Sequence, residues 1–388
     1  MTPPARRSYR VAVIGGGIVG LFTAYHLLRA GAGPVVVLER GFLSSGASGR
    51  NGGGVRQQWE TRPTVRLMRE AVGAWKRFGA EFGTNVWFRQ GGYLFLANNA
   101  SEVERLRQVT DSVRAEGLDG RLLDPSAAAR HAPALALDGV LAATFLRTDG
   151  TLYPFPAVWG VYEAVRALGG EVALGVEVTA VRIEAGRVAG LTTSAGPVDA
   201  SVVVNAAGGW SGDVSRLAGL DVPNVASRHE ILATEPLKPF LDPMVIRLSD
   251  GLYFSQTMRG EVVGGLTIPH PPGTRSGVPT SPAFLRAMSR SLVALVPALA
   301  PVGVLRAWSG YYDDTPDGFP VIGEDPRLPG FVHANGFGGH GFMLSPASSK
   351  RVAKSVLGEP SDLDPSLFSP ARFLDPNRPT RPEGLQPG

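Results

Sequence analysis

The residues most suited to chemistry open the chain. Gly15-Gly16-Gly17-Ile18-Val19-Gly20 follows a short apolar strand, Arg10 to Ile14, and precedes a helix predicted from Ile18 to Ala30. In this spacing Gly15 permits a tight turn, Gly17 lets the backbone approach a diphosphate, and Gly20 lets helix and strand pack closely. The helix start adds N–H donors and partial positive charge. A second buried strand, Val35 to Leu38, ends at Glu39, where an acid takes ribose hydroxyls. Together these predict a dinucleotide site. Three further glycine-rich loops lie at 46–54, 206–209 and 336–341. A nicotinamide enzyme needs only the first turn, so the extra loops favour FAD. The last of them precedes a helix whose N-terminus is suited to stabilising negative charge on a reduced flavin ring.

The elements that must position these loops can be read by periodicity. Met68, Val72, Trp75, Phe78 and Phe82 share one helix face, and Gly91 to Leu96 reads as a strand. Ser101 with Glu104 is expected to form a capping box for a helix carrying Val103, Leu106, Val109 and Val113. A helix is predicted over Pro156 to Leu168, then strands near 177–183, 188–193 and 198–205. Residues 220–305 read as strand-rich with one helix near Pro282 to Leu295, and a last helix runs to about Leu357. The proline-rich stretch from Glu359 reads as an extended strap.

Composition bounds the function. The 388 residues suffice for two domains and a sizeable core. The net charge of +4, without a Lys/Arg run, gives no support for nucleic-acid binding. The absence of cysteine excludes disulfides, thiolate metal sites, a Cys nucleophile and a flavin bonded to sulfur. No metal centre is expected. Besides Val11 to Ala24, the other long apolar run, Val293 to Leu305, contains Pro297 and Pro301 and is too short to span a bilayer. Arg6, Arg7 and Arg10 precede apolar residues, but the glycine pattern there argues against a signal peptide, so a cytoplasmic protein is expected.

Over residues 9 to 375 the chain resembles the D-amino acid oxidase / sarcosine oxidase family of FAD amine oxidoreductases. The resemblance rests on Val13 to Gly20, on Asn205-Ala206-Ala207-Gly208-Gly209-Trp210 and on Gly336-Phe337-Gly338-Gly339-His340-Gly341-Phe342-Met343. Val55-Arg56-Gln57-Gln58-Trp59, Gly91 to Leu96, and Trp308 to Tyr312 with Thr315-Pro316-Asp317 are most similar to the β subunits of dye-linked L-proline dehydrogenases and of heterotetrameric sarcosine oxidases. The resemblance implies an α/β fold: a Rossmann-like FAD-binding domain (1–88, 140–216, 306–375) interleaved with a mixed β-sheet substrate domain (89–139, 217–305), then a tail at 376–388. It implies hydride transfer from a carbon beside an amine nitrogen to flavin N5, giving an imine. The substrate is expected to be a small secondary amino acid such as proline, hydroxyproline or sarcosine.

For non-covalent FAD the resemblance implicates Gly15, Gly17, Ile18, Val19, Gly20, Glu39 and Arg40 at the first turn, and Ser45, Ala47, Ser48, Asn51, Gly52 and Gly53 in the next loop. It adds Val178, Ala206, Ala207, Gly208, Trp210 and Gly310, and then Gly338, Gly339, His340, Gly341, Phe342 and Met343. The candidate substrate residues are Arg56, placed where monomeric sarcosine oxidases grip a carboxylate, with His229, Glu230, Tyr253 and Tyr311. The chain departs from its relatives in several respects, one being Met343 where some monomeric sarcosine oxidases carry a lysine after the glycine loop. The histidine that bonds FMN in heterotetrameric sarcosine oxidases is replaced near Pro154. Monomeric sarcosine oxidases hold an oxygen-activating lysine over the flavin, whereas no lysine lies between Lys238 and Lys350 here. A dehydrogenase passing electrons to a second subunit or separate acceptor is therefore expected. The alternatives are a self-sufficient oxidase for glycine, sarcosine or a D-amino acid, and an FAD-bearing subunit inactive without its partner.

Overall fold

The structure, a computed structural model, describes residues 3–269 and 280–375. The tail expected at 376–388 lies outside the described residues. Two eight-stranded sheets organise the chain. In the first, Phe331–Asn335, Gly196–Asn205, Ser8–Ile14, Val35–Glu39 and Glu171–Leu174 run parallel in that order. Val321–Glu324 is its antiparallel edge, and the meander Val178–Glu184, Arg187–Thr193 joins antiparallel to Gly196–Asn205.

Period-two alternation explains how this sheet is covered on both faces. Val11, Val13, Val35 and Val37 face helices Ile18–Arg29, Arg62–Phe82, Pro154–Ala167 and Gly341–Leu357. Ala12, Ile14, Val36 and Leu38 pack on the meander through Val181, Val188 and Leu191. The long helix Arg62–Phe82 buries Met68, Val72, Trp75 and Phe78 and leaves Phe82 partly covered, as the spacing predicts.

The second sheet runs Val304–Asp314, Val225–Thr234, Val262–Gly265, Leu252–Gln256, Met244–Arg247, Tyr93–Ala97, Ala142–Leu146, Arg121–Leu123. All its pairs are antiparallel except Met244–Arg247 with Tyr93–Ala97. Helix Pro282–Leu295 covers its outer face with Phe284, Met288 and Leu292.

Three expectations need correction. Strands Ala142–Leu146 and Val304–Asp314 hydrogen-bond into the second sheet, so the domain boundaries placed at 140 and 306 cut through it. The box capping helix Ala100–Ala115 is Asn99 with Glu102, two residues before the pair read from sequence. Asn99 accepts from the Glu102 N–H at 3.0 Å, and Glu102 accepts from the Asn98 N–H at 2.7 Å. The segment after Glu359 docks as short helical turns, Pro365–Phe368 and Pro370–Leu374, instead of an extended strap. There the fully buried Arg372 pairs with Asp317 at 2.9 Å.

Candidate active site

A cleft of about 860 Å³ opens where the two sheets face each other, lined by both. One end is made of backbone. Gly15 takes φ +110°, and any side chain there would collide with the Ala206 carbonyl. Gly17 lines the cleft and adds no side-chain cap to helix Ile18–Arg29, whose first turn has no acid. The Ile18 N–H donates to Ser48 Oγ at 2.9 Å. Gly20 lies off the lining: a Cβ there would strike the Gly15 carbonyl, so its part is packing. The Glu39 carboxylate is held at the strand end by the N–H groups of Gly16 (2.9 Å) and Gly41 (2.7 Å). The Arg40 guanidinium lies 4.1 Å from the Trp210 ring, and Val178, Ala206, Ala207 and Gly208 line the same stretch.

The middle is spanned by the 44–54 loop. Ser45, Ala47, Ser48, Asn51 and Gly52 line it; Gly53 instead packs on the Leu152 carbonyl. Arg50 ties this loop across the cleft, donating to the Ser45 carbonyl (2.9 Å) and the Ser309 carbonyl (3.1 Å), beside Gly310. Gly338, Gly339, His340, Gly341, Phe342 and Met343 line the facing wall at the start of helix Gly341–Leu357. That helix also has neither side-chain cap nor acid in its first turn.

The other end is made of side chains. Arg56 is 2% exposed, with its guanidinium 3.8 Å from the Trp59 ring. It donates to the Gln58 carbonyl at 3.1 Å and meets His340 Nε2 at 3.3 Å. Burial, reinforced by Arg56, holds the His340 imidazole well below its usual range, so Nε2 accepts from the guanidinium. Beneath them Asp149 accepts from the Gln57 N–H (2.7 Å) and Gln58 Nε2 (3.0 Å), and burial pushes its carboxyl up to about 7. Tyr93, Tyr253 and Tyr312 converge from the second sheet, each beside a glycine. A side chain on Gly54 would strike the Tyr93 hydroxyl, on Gly265 the Tyr253 hydroxyl (2.6 Å), and on Gly339 the Tyr312 ring (2.7 Å). Burial raises the Tyr253 phenol well above its usual range and the Tyr312 phenol to about 12, and the two hydroxyls interact with each other. His229 stacks on Tyr312 at 3.7 Å and lines the cleft.

Two candidate substrate residues sit elsewhere than expected. Glu230 alternates to the far face of its strand, where it pairs with Arg228 (3.1 Å) and accepts from Ser281 Oγ (3.0 Å), away from the cleft. Tyr311 does line the cleft, but against Trp210 and Gly209, toward the Arg40 end. Sequence reasoning passed over Tyr93 and Asp149, and of the pair Tyr311-Tyr312 it took Tyr311 as the candidate. A residue pair such as Tyr311-Tyr312 on a strand puts one ring on each face, and only the register decides which.

The arrangement suits FAD. Uncapped helix starts and side-chain-free turns serve a diphosphate, Glu39 serves ribose hydroxyls, and the Gly341 helix start faces the middle of the cleft. Among the described residues no cluster of ligating side chains could hold a metal, and no helix is long and apolar enough to cross a membrane.

Residues 10–355 match the family described as FAD-dependent oxidoreductase. The chain is 28% identical over 384 residues to the sarcosine oxidase β subunit of Rhodobacter capsulatus, covering 96% of this chain and 92% of that one. It is 30% identical over 352 residues to the same subunit from Rhizobium meliloti, covering 89% and 84%. The crystal structure of L-proline dehydrogenase from P. horikoshii superposes with a TM-score of 0.89 at 33% identity, over 95% of this chain and 98% of that one.

Proposed function

The chain belongs to the family of FAD-dependent oxidoreductases, and from that premise we propose that it oxidises the C–N bond of a small secondary amino acid to an imine and passes the electrons to a partner or acceptor rather than to oxygen. The observation that carries this reading is Arg56. It brings a buried positive charge to an end of the cleft whose other walls include tyrosine rings, Met244, Ile231 and the imidazoles of His229 and His340. A guanidinium there suits an amino acid carboxylate, through a charge-assisted pair in a water-poor site. The names of the relatives, sarcosine and proline enzymes, favour a secondary amine.

Bound FAD supplies the two-electron oxidation. The protein's residues then have other work. Gly15, Gly17, Glu39, Ser48 and the Gly341 helix start hold the cofactor, with no cysteine in the chain to bond it through sulfur. Arg56 fixes the substrate by its carboxylate, and the tyrosines exclude water around the reacting carbon. The preference for a non-oxygen acceptor rests on cations. The cleft-lining cations among the described residues are Arg40, Arg50 and Arg56, and the chain's four lysines are Lys76, Lys238, Lys350 and Lys354, none on the lining. Oxygen activation by a point positive charge thus lacks the lysine that suits it.

The test is anaerobic. The FAD-loaded protein is mixed with L-proline, hydroxyproline, sarcosine, glycine and D-amino acids while the oxidised flavin band is followed. Bleaching by a secondary amino acid, with reoxidation fast by a dye and slow by oxygen, is expected. Peroxide formed stoichiometrically at every turnover would make the protein an oxidase. Bleaching by dithionite but by no amino acid would point to a required partner, in keeping with relatives named as β subunits.

A further inference from the structure

Behind the wall of the cleft, next to Arg56, sits a buried acid for which the proposed reaction has no use. Arg56 and Tyr93 face the cleft, whereas Gln57, Gln58 and Asp149 do not. Strand Gly54–Val55 pairs antiparallel with Gly150–Thr151, Val55 opposite Gly150, which brings Asp149 alongside the Arg56 turn. The Asp149 carboxylate is wholly buried. Every hydrogen bond it accepts among the described residues comes from that turn: the Gln57 N–H at 2.7 Å, Gln57 Nε2 at 3.2 Å and Gln58 Nε2 at 3.0 Å. Gln57 Nε2 also donates to Thr148 Oγ1 (2.8 Å), and Gln58 Nε2 to the Tyr93 carbonyl (3.1 Å). These donors are neutral, and the Arg56 guanidinium acts on Asp149 through its charge. Arg56 and Asp149 together carry no net charge. His340 is held neutral, and burial raises the Tyr93, Tyr253 and Tyr312 phenols, so they stay neutral as well. An amino acid ready to lose a hydride has a neutral amine and so brings one net negative charge. Its carboxylate at Arg56 makes a second anion on one guanidinium, in surroundings that penalise unbalanced charge. A proton on Asp149 removes the surplus. Oδ2 accepts a single N–H and keeps a lone pair for that proton. The neighbouring Thr148 is exposed, which brings solvent to within one residue.

We propose that Asp149 is a positioning residue that takes up a proton from solvent when a carboxylate binds at Arg56, balancing the charge of the occupied site while holding the Arg56 turn. The inference rests on the reading above that Arg56 takes the carboxylate. In this step an O–H bond forms at Asp149 Oδ2 with a proton from the buffer, and nothing is oxidised or reduced. The charged and titratable groups around Asp149 are Arg56 on the adjoining turn and Tyr93 from the second sheet. Beyond Arg56 stand His340 and Tyr312, with His229 stacked on Tyr312 and Asp314 acting on it. Arg147 is exposed, Arg89 directs its guanidinium to Asp242 (3.3 Å), and Arg50 is tied to the Ser45 and Ser309 carbonyls. Burial has already pushed the Asp149 carboxyl up to about 7, against the pull of its N–H donors and of Arg56, so a modest further rise completes protonation near neutral pH.

The probe for the test is cyclopentanecarboxylate, which has the ring and carboxylate of proline but no nitrogen to oxidise or titrate. Its binding to the FAD-loaded protein is followed by calorimetry from pH 6 to 9 in pairs of buffers that differ in ionisation heat, so proton uptake is counted separately from affinity. The parent should take up about one proton per ligand at pH 8 and far less at pH 6. Its affinity should be full below pH 7 and fall about three- to tenfold per pH unit above it, because proton and anion strengthen each other's binding equally. Asp149→Asn should take up no proton, bind without pH dependence, and match or exceed the parent at pH 9. A side chain that only braced the turn would instead lose affinity at every pH. Infrared spectra of the parent give a second reading that needs no variant: at pH 8 the probe should bring up the C=O stretch of one protonated carboxyl. Binding by the parent without proton uptake and without that band overturns the proposal and leaves Arg56 as the anchor. Proton uptake undiminished in Asp149→Asn overturns it too. No binding by the parent at any pH overturns the anchor itself, and the charge argument falls with it.

Discussion

The two ends of the cleft are built by opposite means. Around Gly15, Gly17 and Ala206 the wall is backbone, and function depends on side chains that are missing. Around Arg56, Tyr93, Tyr253 and Tyr312 the wall is bulk, and glycines reappear only as sockets behind the rings. Backbone donors have fixed positions set by the turn and the helix, which suits the FAD for which the family is described. Side chains on strands can be exchanged one at a time without moving the sheet, which suits a substrate that differs between relatives. The same residue type thus does two jobs in one cleft.

The largest effect should come from breaking the backbone end. Gly15→Ala forces a side chain onto a left-handed residue and into the Ala206 carbonyl. FAD binding should weaken about 100-fold or more, read as a colourless preparation by the ratio of flavin to protein absorbance. Flavin content equal to the parent's would contradict the assigned role of this turn.

Arg56→Met should leave the yellow colour and remove the substrate's anchor. Loss of a charge-assisted pair of about 2–3 kcal/mol corresponds to about 30- to 150-fold in kcat/KM. Loss of FAD with no selective kinetic defect would instead move Arg56 to the cofactor end of the comparison.

Gly339→Ala probes the seam, since its Cβ would meet the Tyr312 ring at 2.7 Å. Overpacking should displace the ring and raise KM about tenfold with FAD retained. The smallest effect is expected of Tyr312→Phe, which keeps the ring and removes one hydroxyl, costing about 1 kcal/mol. Because the Tyr312 phenol is raised from 10.0 to about 12, it stays neutral through the working range. Its share of stability is full below pH 10 and is lost as pH rises toward 12. The pH profile of flavin bleaching should therefore show no limb between 8 and about 10 that disappears in this variant. Such a limb would assign Tyr312 as a proton carrier.

The contrast between the ends also explains what could be read in advance. Residues 8–39 hold strand, turn, helix, strand and terminal acid in one unbroken run, so local spacing carried the backbone end almost whole. Tyr93, Tyr253 and Tyr312 come from three strands far apart in the chain, and their meeting depends on register and face. The same ambiguity let Glu230 stand beside His229 in sequence although one residue's shift sends it to the opposite face. Asp149 left a fainter trace. The polar pair Gln57-Gln58, buried beside Trp59, needed an acceptor, but nothing local pointed 91 residues onward.

Strand Tyr93–Ala97 lies between Met244–Arg247 and Ala142–Leu146, and the N-terminal glycine turn precedes them all. The substrate-facing half is therefore not a cassette. No single pair of cuts excises it, and a graft taken from a relative must replace at least two separated segments together or leave Tyr93 facing a foreign roof.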